Sequence, residues 1–380
     1  MPRLADVLAV LDALYAPGWA EPWDAVGLVC GDPDAVVTRV LLAVDPVAPV
    51  ADEAVRLGAQ LLVTHHPLFL RPVHGVAATT AKGRLVHALV TAGVALHVAH
   101  TNADVARPGV SDALAGALGL DPAGTEPLAP SATGPTDKLV TFVPDDAVDA
   151  VLDALAAAGA GVIGAYTRCA WTTGGTGTFR PEAGARPVVG AVGRVETVAE
   201  TRLEVVLPRE RRDAVVRALL AAHPYEEPAY DVYKLATSSG ARGLGRVGEL
   251  GAPVPLRAFA RRAAAALPRT AGGVRVAGDP DRPVRRVAVC GGAGESLLTA
   301  AGAARADVYV TADLRHHPAS EALADAGVRG GPALVDAAHW ASEWPWLPDA
   351  ATRLREALGD TVETVVSTLV TDPWTVQETA

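Results

Sequence analysis

Residues 40–66 read VLLAVDPVAPVADEAVRLGAQLLVTHH, and this stretch decides the fold. VLLAVD (40–45) is a short apolar run and predicts a strand. VADEAVRLGA (50–59) spaces its apolar residues as a helix does, and QLLVTHH (60–66) is a second strand. Near-continuous apolar strands separated by a helix are buried on both faces, which points to a parallel sheet covered by helices. Working outward, KGRLVHALVTAG (82–93) is helical, VALHVAH (94–100) a strand and GVSDALAGALGL (109–120) a helix. The last third repeats the style, with strands RRVAVC (285–290), DVYVTAD (307–313) and ALVDAAH (333–339), then a helix DAATRLREALG and a strand VETVVSTLV.

The middle of the chain has another rhythm. DPAGTEPLAPSATGPT (121–136) and ATSSGARGLG (236–245) are rich in Gly, Pro, Ser and Thr and predict linkers. Between them KLVTFVP, TRLEVVLP and AYDVYKL read as strands, while DDAVDAVLDALAAAGAG and RERRDAVVRALLAAHP read as helices. Two strand–helix–strand units of this length describe a ferredoxin-like split βαβ domain. The expected organisation is therefore an α/β protein with a mixed or parallel helix-covered sheet, formed by residues 1–130 and 241–380. An α+β domain, residues 131–240, is inserted into it.

The 380 residues are half apolar by composition and carry a net charge of −10. The length suits two or three domains with real cores. The acidic balance argues against nucleic acid as a partner, since phosphate binding needs a basic face. Cys30, Cys169 and Cys290 are far apart and form no C-x-x-C pair, so neither a disulfide framework nor a zinc ribbon is expected. MPRLADVLAVLDALY is interrupted by Asp6 and Asp12 at helical spacing and reads as an amphipathic helix, not a signal peptide. No uncharged run approaches the roughly 20 residues of a membrane span. A cytoplasmic protein is expected.

Metal-ligand residue types gather at the ends of predicted strands. His65 and His66 close the strand 60–66 just before Pro67, Asp104 follows the strand 94–100 in HTNAD, and His339 and Glu343 stand four residues apart. The C-terminal ends of parallel strands are where open α/β sheets bind ligands. Taken singly, each motif also suits an ordinary role: strand-closing histidines, a turn stabilised by Asn and Asp, an exposed histidine with an acid in the first turn of a helix. Together they make a mixed nitrogen–oxygen set that suits two divalent ions with a bridging carboxylate. Zinc, iron(II) and manganese accept it, and the lack of thiolates disfavours copper(I) and iron–sulfur clusters. CGGAGESLL (290–298) sets Gly291, Gly292 and Gly294 between a strand and a helix, either as a phosphate cradle or as a tight turn. Asp313 and His317 of TADLRHH sit at another strand end, as substrate groups or as part of a solvated loop.

With these motifs in view, the chain resembles the Nif-three-like dinuclear metal centre proteins, the family of the GTP cyclohydrolase 1 type 2 homologs. The resemblance covers almost the whole length through EPWDAVGLVCG (21–31), THHPLF (64–69), AHTNAD (99–104), GGAG (291–294), VTADLRHH (310–317) and DAAHWASE (336–343). GAGVIGAYTRCAW (159–171), GTGTFRP (175–181) and HPYEEPAYDVY (223–233) resemble the PII/CutA-like insertion of its longer members. The resemblance implies His65, His66, Asp104, His339 and Glu343 as ligands of two divalent ions. It further implies a toroidal homohexamer, a dimer of trimers, with the sites facing an internal cavity. The chain departs from the usual pattern at Ala25, Ala312 and Ala338, none of which removes a ligand. Two functions follow as expectations: a metal-dependent hydrolase acting on a nucleotide or phosphorylated small molecule, or a non-catalytic regulatory or metal-handling oligomer that senses a small effector through its middle domain.

Overall fold

The three apolar strands of the opening region lie side by side. In the computed structural model, which describes residues 1–132, 136–164, 166–236 and 239–378, Arg39–Ala43, Leu61–Thr64 and Ala95–Val98 pair in parallel. Glu363–Val366 extends the sheet in parallel at one edge, and Gly27–Cys30 closes the other edge antiparallel. Every residue of Leu61–Thr64 is buried. Leu61 and Val63 face one apolar cluster, and Leu62 faces the other. That two-sided burial is why the strand shows no polar alternation.

A second, six-stranded sheet runs in the order Val274–Ala277, Ala333–Ala337, Val308–Ala312, Pro283–Ala293, Ser239–Pro255, Glu126–Ala132. Its three central strands are parallel, and Val274–Ala277 and Ser239–Pro255 pair antiparallel with them. Val287, Val308 and Val335 of this sheet share a cluster with Leu61 and Val63 of the first, together with the helices Leu4–Leu14, Val110–Ala117 and Trp346–Leu358. The register sets the site. Ala43, Thr64 and Val98 are level at the strand ends of one sheet, and Ala312 is level with Ala337 in the other. The residues that follow them emerge together.

Two compact units are present, Met1–Ser131 with Ala241–Ala380, and Ala132–Gly240. The second unit has its own antiparallel sheet, in the order Ala170–Phe179, Glu196–Pro208, Thr136–Pro144, Tyr230–Lys234. Helices Val148–Ala157 and Arg212–Ala222 bury Val151, Leu155, Val215 and Leu219 against Leu139, Leu203 and Val205. This is the ferredoxin-like arrangement.

Three segments differ from expectation. Glu126–Ala132, read as linker, is an edge strand, the one place in a sheet where Pro127 and Pro130 cost no interior hydrogen bond. Ser239–Pro255 is likewise a strand. Gly243 and Gly245 serve close approach there: a Cβ would fall 2.2 Å from Ala129 O and 2.8 Å from Val289 O respectively. Ala170–Phe179 was not foreseen, because AWTTGGTGTF is almost wholly exposed and shows no apolar alternation. Residues 133–135, 165 and 237–238 of the quoted segments lie outside the described residues.

Candidate metal centre

Strand Leu61–Thr64 ends one residue before His65, yet the backbone stays tied to its neighbour. His65 N donates to Ala43 O and His66 N to Val44 O. Thr64 Oγ1 donates to His66 O, and Pro67 disfavours helical backbone at His66. The turn brings both imidazoles to one place, with ring centroids 5.2 Å apart. Asp104 arrives on a short helix, Thr101–Val105. His339 and Glu343 form the ends of another short helix and share its face.

The five side chains meet. Glu343 lies at the middle, with Oε1 2.9 Å from His339 Nε2 and 3.4 Å from His65 Nε2, and Oε2 3.1 Å from His66 Nε2. His65 Nε2 is 3.7 Å from Asp104 Oδ1, and His66 Nε2 is 3.2 Å from His339 Nε2. Ligand bonds of about 2.0–2.2 Å set neighbouring donor atoms roughly 3–4 Å apart around one ion. Two groups, His66–His339–Glu343 and His65–His66–His100, bring their ligand atoms within 4.8 Å of one another. The site is closed on one side and open on the other: the side chains of His65 and Glu343 are 1% and 4% exposed, those of His339 and Asp313 30% and 58%.

Each imidazole is held by its other nitrogen. His65 Nδ1 meets Ala99 O at 2.9 Å, His66 Nδ1 meets Asp45 Oδ1 at 2.7 Å, and His339 Nδ1 meets Asp313 Oδ2 at 2.7 Å. His100 Nδ1 meets Asp24 Oδ2 at 3.0 Å, and Thr101 donates to the same oxygen. Donation from Nδ1 leaves the Nε2 lone pair for a ligand-binding role, and such outer partners orient metal-binding histidines. His65 Nε2 and Glu343 Oε2 are buried, and among the described residues they meet no well-aligned hydrogen-bond partner outside the cluster itself. Buried polar atoms without partners cost about 1–3 kcal/mol each, so a native chain keeps them for a reason.

The electrostatics point the same way. Burial disfavours charge on His66, but Glu343 and Asp45 outweigh it and push its pKa up to about 10. His339, against the same burial, rises to about 11 through Glu343 and Asp313. Burial raises Asp104 to about 6 against the pull of His65. Glu343 is held well below the usual carboxylate range, because three imidazoles overcome its own desolvation. A buried carboxylate among imidazoles thus gathers positive charge, and a divalent cation meets that demand on the same lone pairs. The donor set, nitrogen and oxygen without sulfur, fits zinc, iron(II) or manganese.

The other sequence candidates divide. Gly292 has φ +65°, and a Cβ there would fall 2.3 Å from Glu343 Oε1 and 3.2 Å from His339 Nε2. Gly291 and Gly292 lie inside the strand Pro283–Ala293, and their N–H groups donate to Ser111 Oγ and Ser342 Oγ. They make room for the centre and are not a free anion cradle. Gly294 packs against Thr311 and Tyr309. Asp313 orients His339, whereas His317 is exposed on helix His316–Arg329 with its ring against His316. Sequence reasoning missed Asp24, Asp45 and His100. The signal for Asp45 and His100 was available: both follow strands level with the one that ends at His65.

Residues 2–373 match the model of the family described as Duf34/NIF3 (NGG1p interacting factor 3). A Mycobacterium tuberculosis relative, named a GTP cyclohydrolase 1 type 2 homolog, is 54% identical over 372 residues, 98% of this chain and 96% of its own length. A Bacillus cereus protein described as related to NIF3 has a crystal structure similar to this fold, with 37% identity, a TM-score of 0.75 and 98% of both chains covered. A Staphylococcus aureus structure gives a TM-score of 0.81 at 28% identity over 99% of each chain.

Proposed function

The chain belongs to the Duf34/NIF3 family, and on that premise we propose that it is a dinuclear divalent-metal hydrolase acting on a nucleotide or another phosphorylated small molecule. The observation that carries this reading is the convergence of His65, His66, Asp104, His339 and Glu343, whose facing nitrogen and oxygen atoms lie 2.9–3.7 Å apart where strand ends from two sheets meet. His65 and Asp104 would hold one ion, His66 and His339 the other, with Glu343 shared between them. Divalent ions in such a site supply Lewis acidity and lower the pKa of water.

The chain's own residues supply the rest. Ala99 O, Asp45 and Asp313 fix the three imidazoles, so that little reorganisation is needed when ligands bind. Trp346 packs on His65 at 5.4 Å between ring centroids and keeps water from the closed side. A substrate enters from the side of His339 and Asp313, where the site is open. His100, held by Asp24 and 5.1 Å from the His65 ring, faces the same space and is placed to contact it.

The relatives' name suggests GTP as the first substrate to test. Purified protein loaded with zinc, iron(II) or manganese is expected to hydrolyse GTP or a member of a nucleotide and phosphoester panel, and to lose that activity with a chelator. Absence of turnover on the whole panel overturns the hydrolase reading. We also propose a homohexameric, cytoplasmic protein. Trp171 and Tyr233, 57% and 50% exposed on the four-stranded sheet, support an unfilled assembly surface. The three free cysteines agree with a reducing compartment.

A further inference from the structure

The middle unit contains an open cavity of about 810 Å³ over the paired strands Ala170–Phe179 and Glu196–Pro208, walled by residues 181–189 and the segment before Tyr230. That volume falls in the range of small-molecule sites, roughly 300–1,000 Å³. Its chemistry is one-sided. Glu182, Glu200, Glu226 and Glu227 line it, and among the described residues Arg202 is the one cation in its lining. Arg202 donates to Glu204 at 2.8 Å, and Glu182 is paired with Arg180 at 2.6 Å. Glu226 accepts only the backbone N–H of Arg186. Among the described residues, Glu200, Glu226 and Glu227 thus have no cationic partner.

Aromatic surface completes the lining. Phe179 and Tyr225 pack with centroids 6.1 Å apart, and Phe142 lies beside them in the cavity wall. The buried Tyr225 hydroxyl lies against Glu200. Burial and the neighbouring Glu200 push its pKa up to about 12, so it remains a donor. The glycine-rich strand shapes the space: a Cβ at Gly177 would fall 2.0 Å from Glu200 Oε2, while one at Gly174 would meet nothing within 4 Å.

We propose that this cavity binds a small organic polycation of the aliphatic polyamine class. Three unpaired carboxylates on two separate segments repel an anion and suit more than one ammonium group. Among the described residues, the groups of side chains able to converge on a metal ion all lie in the other unit, which disfavours a bare cation here. Ring faces and methylene chains are complementary, and the ring quadrupole adds attraction for ammonium.

Titration calorimetry on the full chain with spermidine, in buffer of physiological ionic strength, tests this independently of the metal centre. The expected result is saturable binding at one site per chain. Glu200→Gln should weaken it roughly tenfold, the scale of a lost hydrogen bond to a charged group. Gly174→Phe should block it by filling the cavity, while Glu321→Gln, on an exposed helix of the other unit, should leave it unchanged. Folding of each variant is checked by circular dichroism. If spermidine fails to saturate, or binds both cavity variants as it binds the parent, the proposal is overturned. Binding of calcium or ATP at this cavity in place of spermidine overturns it equally.

Discussion

Arg246 and Glu343 are both buried charges, and they are satisfied in opposite ways. Arg246 uses all five of its N–H groups: two on Asp112, and one each on the carbonyls of Gly243, Gly245 and Ala106. Nothing is left over, so its role is structural. Glu343 instead meets three imidazoles at 2.9–3.4 Å and no guanidinium or ammonium among the described residues, and that contrast separates a candidate metal centre from a structural ion pair. Gly292 belongs to the site by what it lacks. Gly292→Ala would press a methyl group into the Glu343 carboxylate at a backbone conformation that also disfavours alanine. Divalent-metal affinity is expected to fall by roughly 10–100-fold, measured by competition with a chromophoric chelator, with the far-ultraviolet circular dichroism unchanged. Equal affinity in the variant would remove Gly292 from the centre. The convergence of the five candidate residues was legible because imidazoles and carboxylates stood where strands were expected to end. Asp24 was not, since a loop carboxylate looks the same whether or not a histidine lies against it.

Elements were legible where burial was two-sided. Leu61–Thr64 and Val308–Ala312 are wholly buried, so their apolar runs announce them. Edge and exposed strands carry no such mark: Glu126–Ala132 holds two prolines, and Ala170–Phe179 relies on backbone pairing with Glu196–Pro208. In the middle unit, Thr136–Pro144 is anchored by Asp137, whose buried carboxylate accepts from Arg209 and Arg212. Burial alone would raise the Asp137 pKa, but the two guanidiniums outweigh it and the net shift is downward. A carboxyl depressed in the folded state contributes stability that is complete above its unfolded pKa, about 3.9. That contribution is lost as pH falls through the folded value. Asp137→Asn is expected to lower stability at pH 7 by about 1–3 kcal/mol and to flatten the acid limb of the stability curve, read from urea midpoints between pH 3 and 7. An unchanged acid limb would show that Asp137 does not couple this strand to the helix at Arg212.

At the scale of the molecule, two sheets built from distant parts of the chain bring their strand ends together through one shared apolar layer. The sequence motifs name the participants, but only this packing joins His65 to Glu343 across the length of the chain. The proposed assembly predicts a solution mass about six times that of the 38.9 kDa chain, by light scattering on the eluting protein. A monomer would contradict it. The central claim is that the buried lone pairs at this junction exist to bind metal, and elemental analysis of purified protein tests it most directly. The account predicts two divalent ions per chain in the parent and a sharp loss in a folded His65→Ala variant. An unchanged metal content in that variant would contradict the centre as assigned.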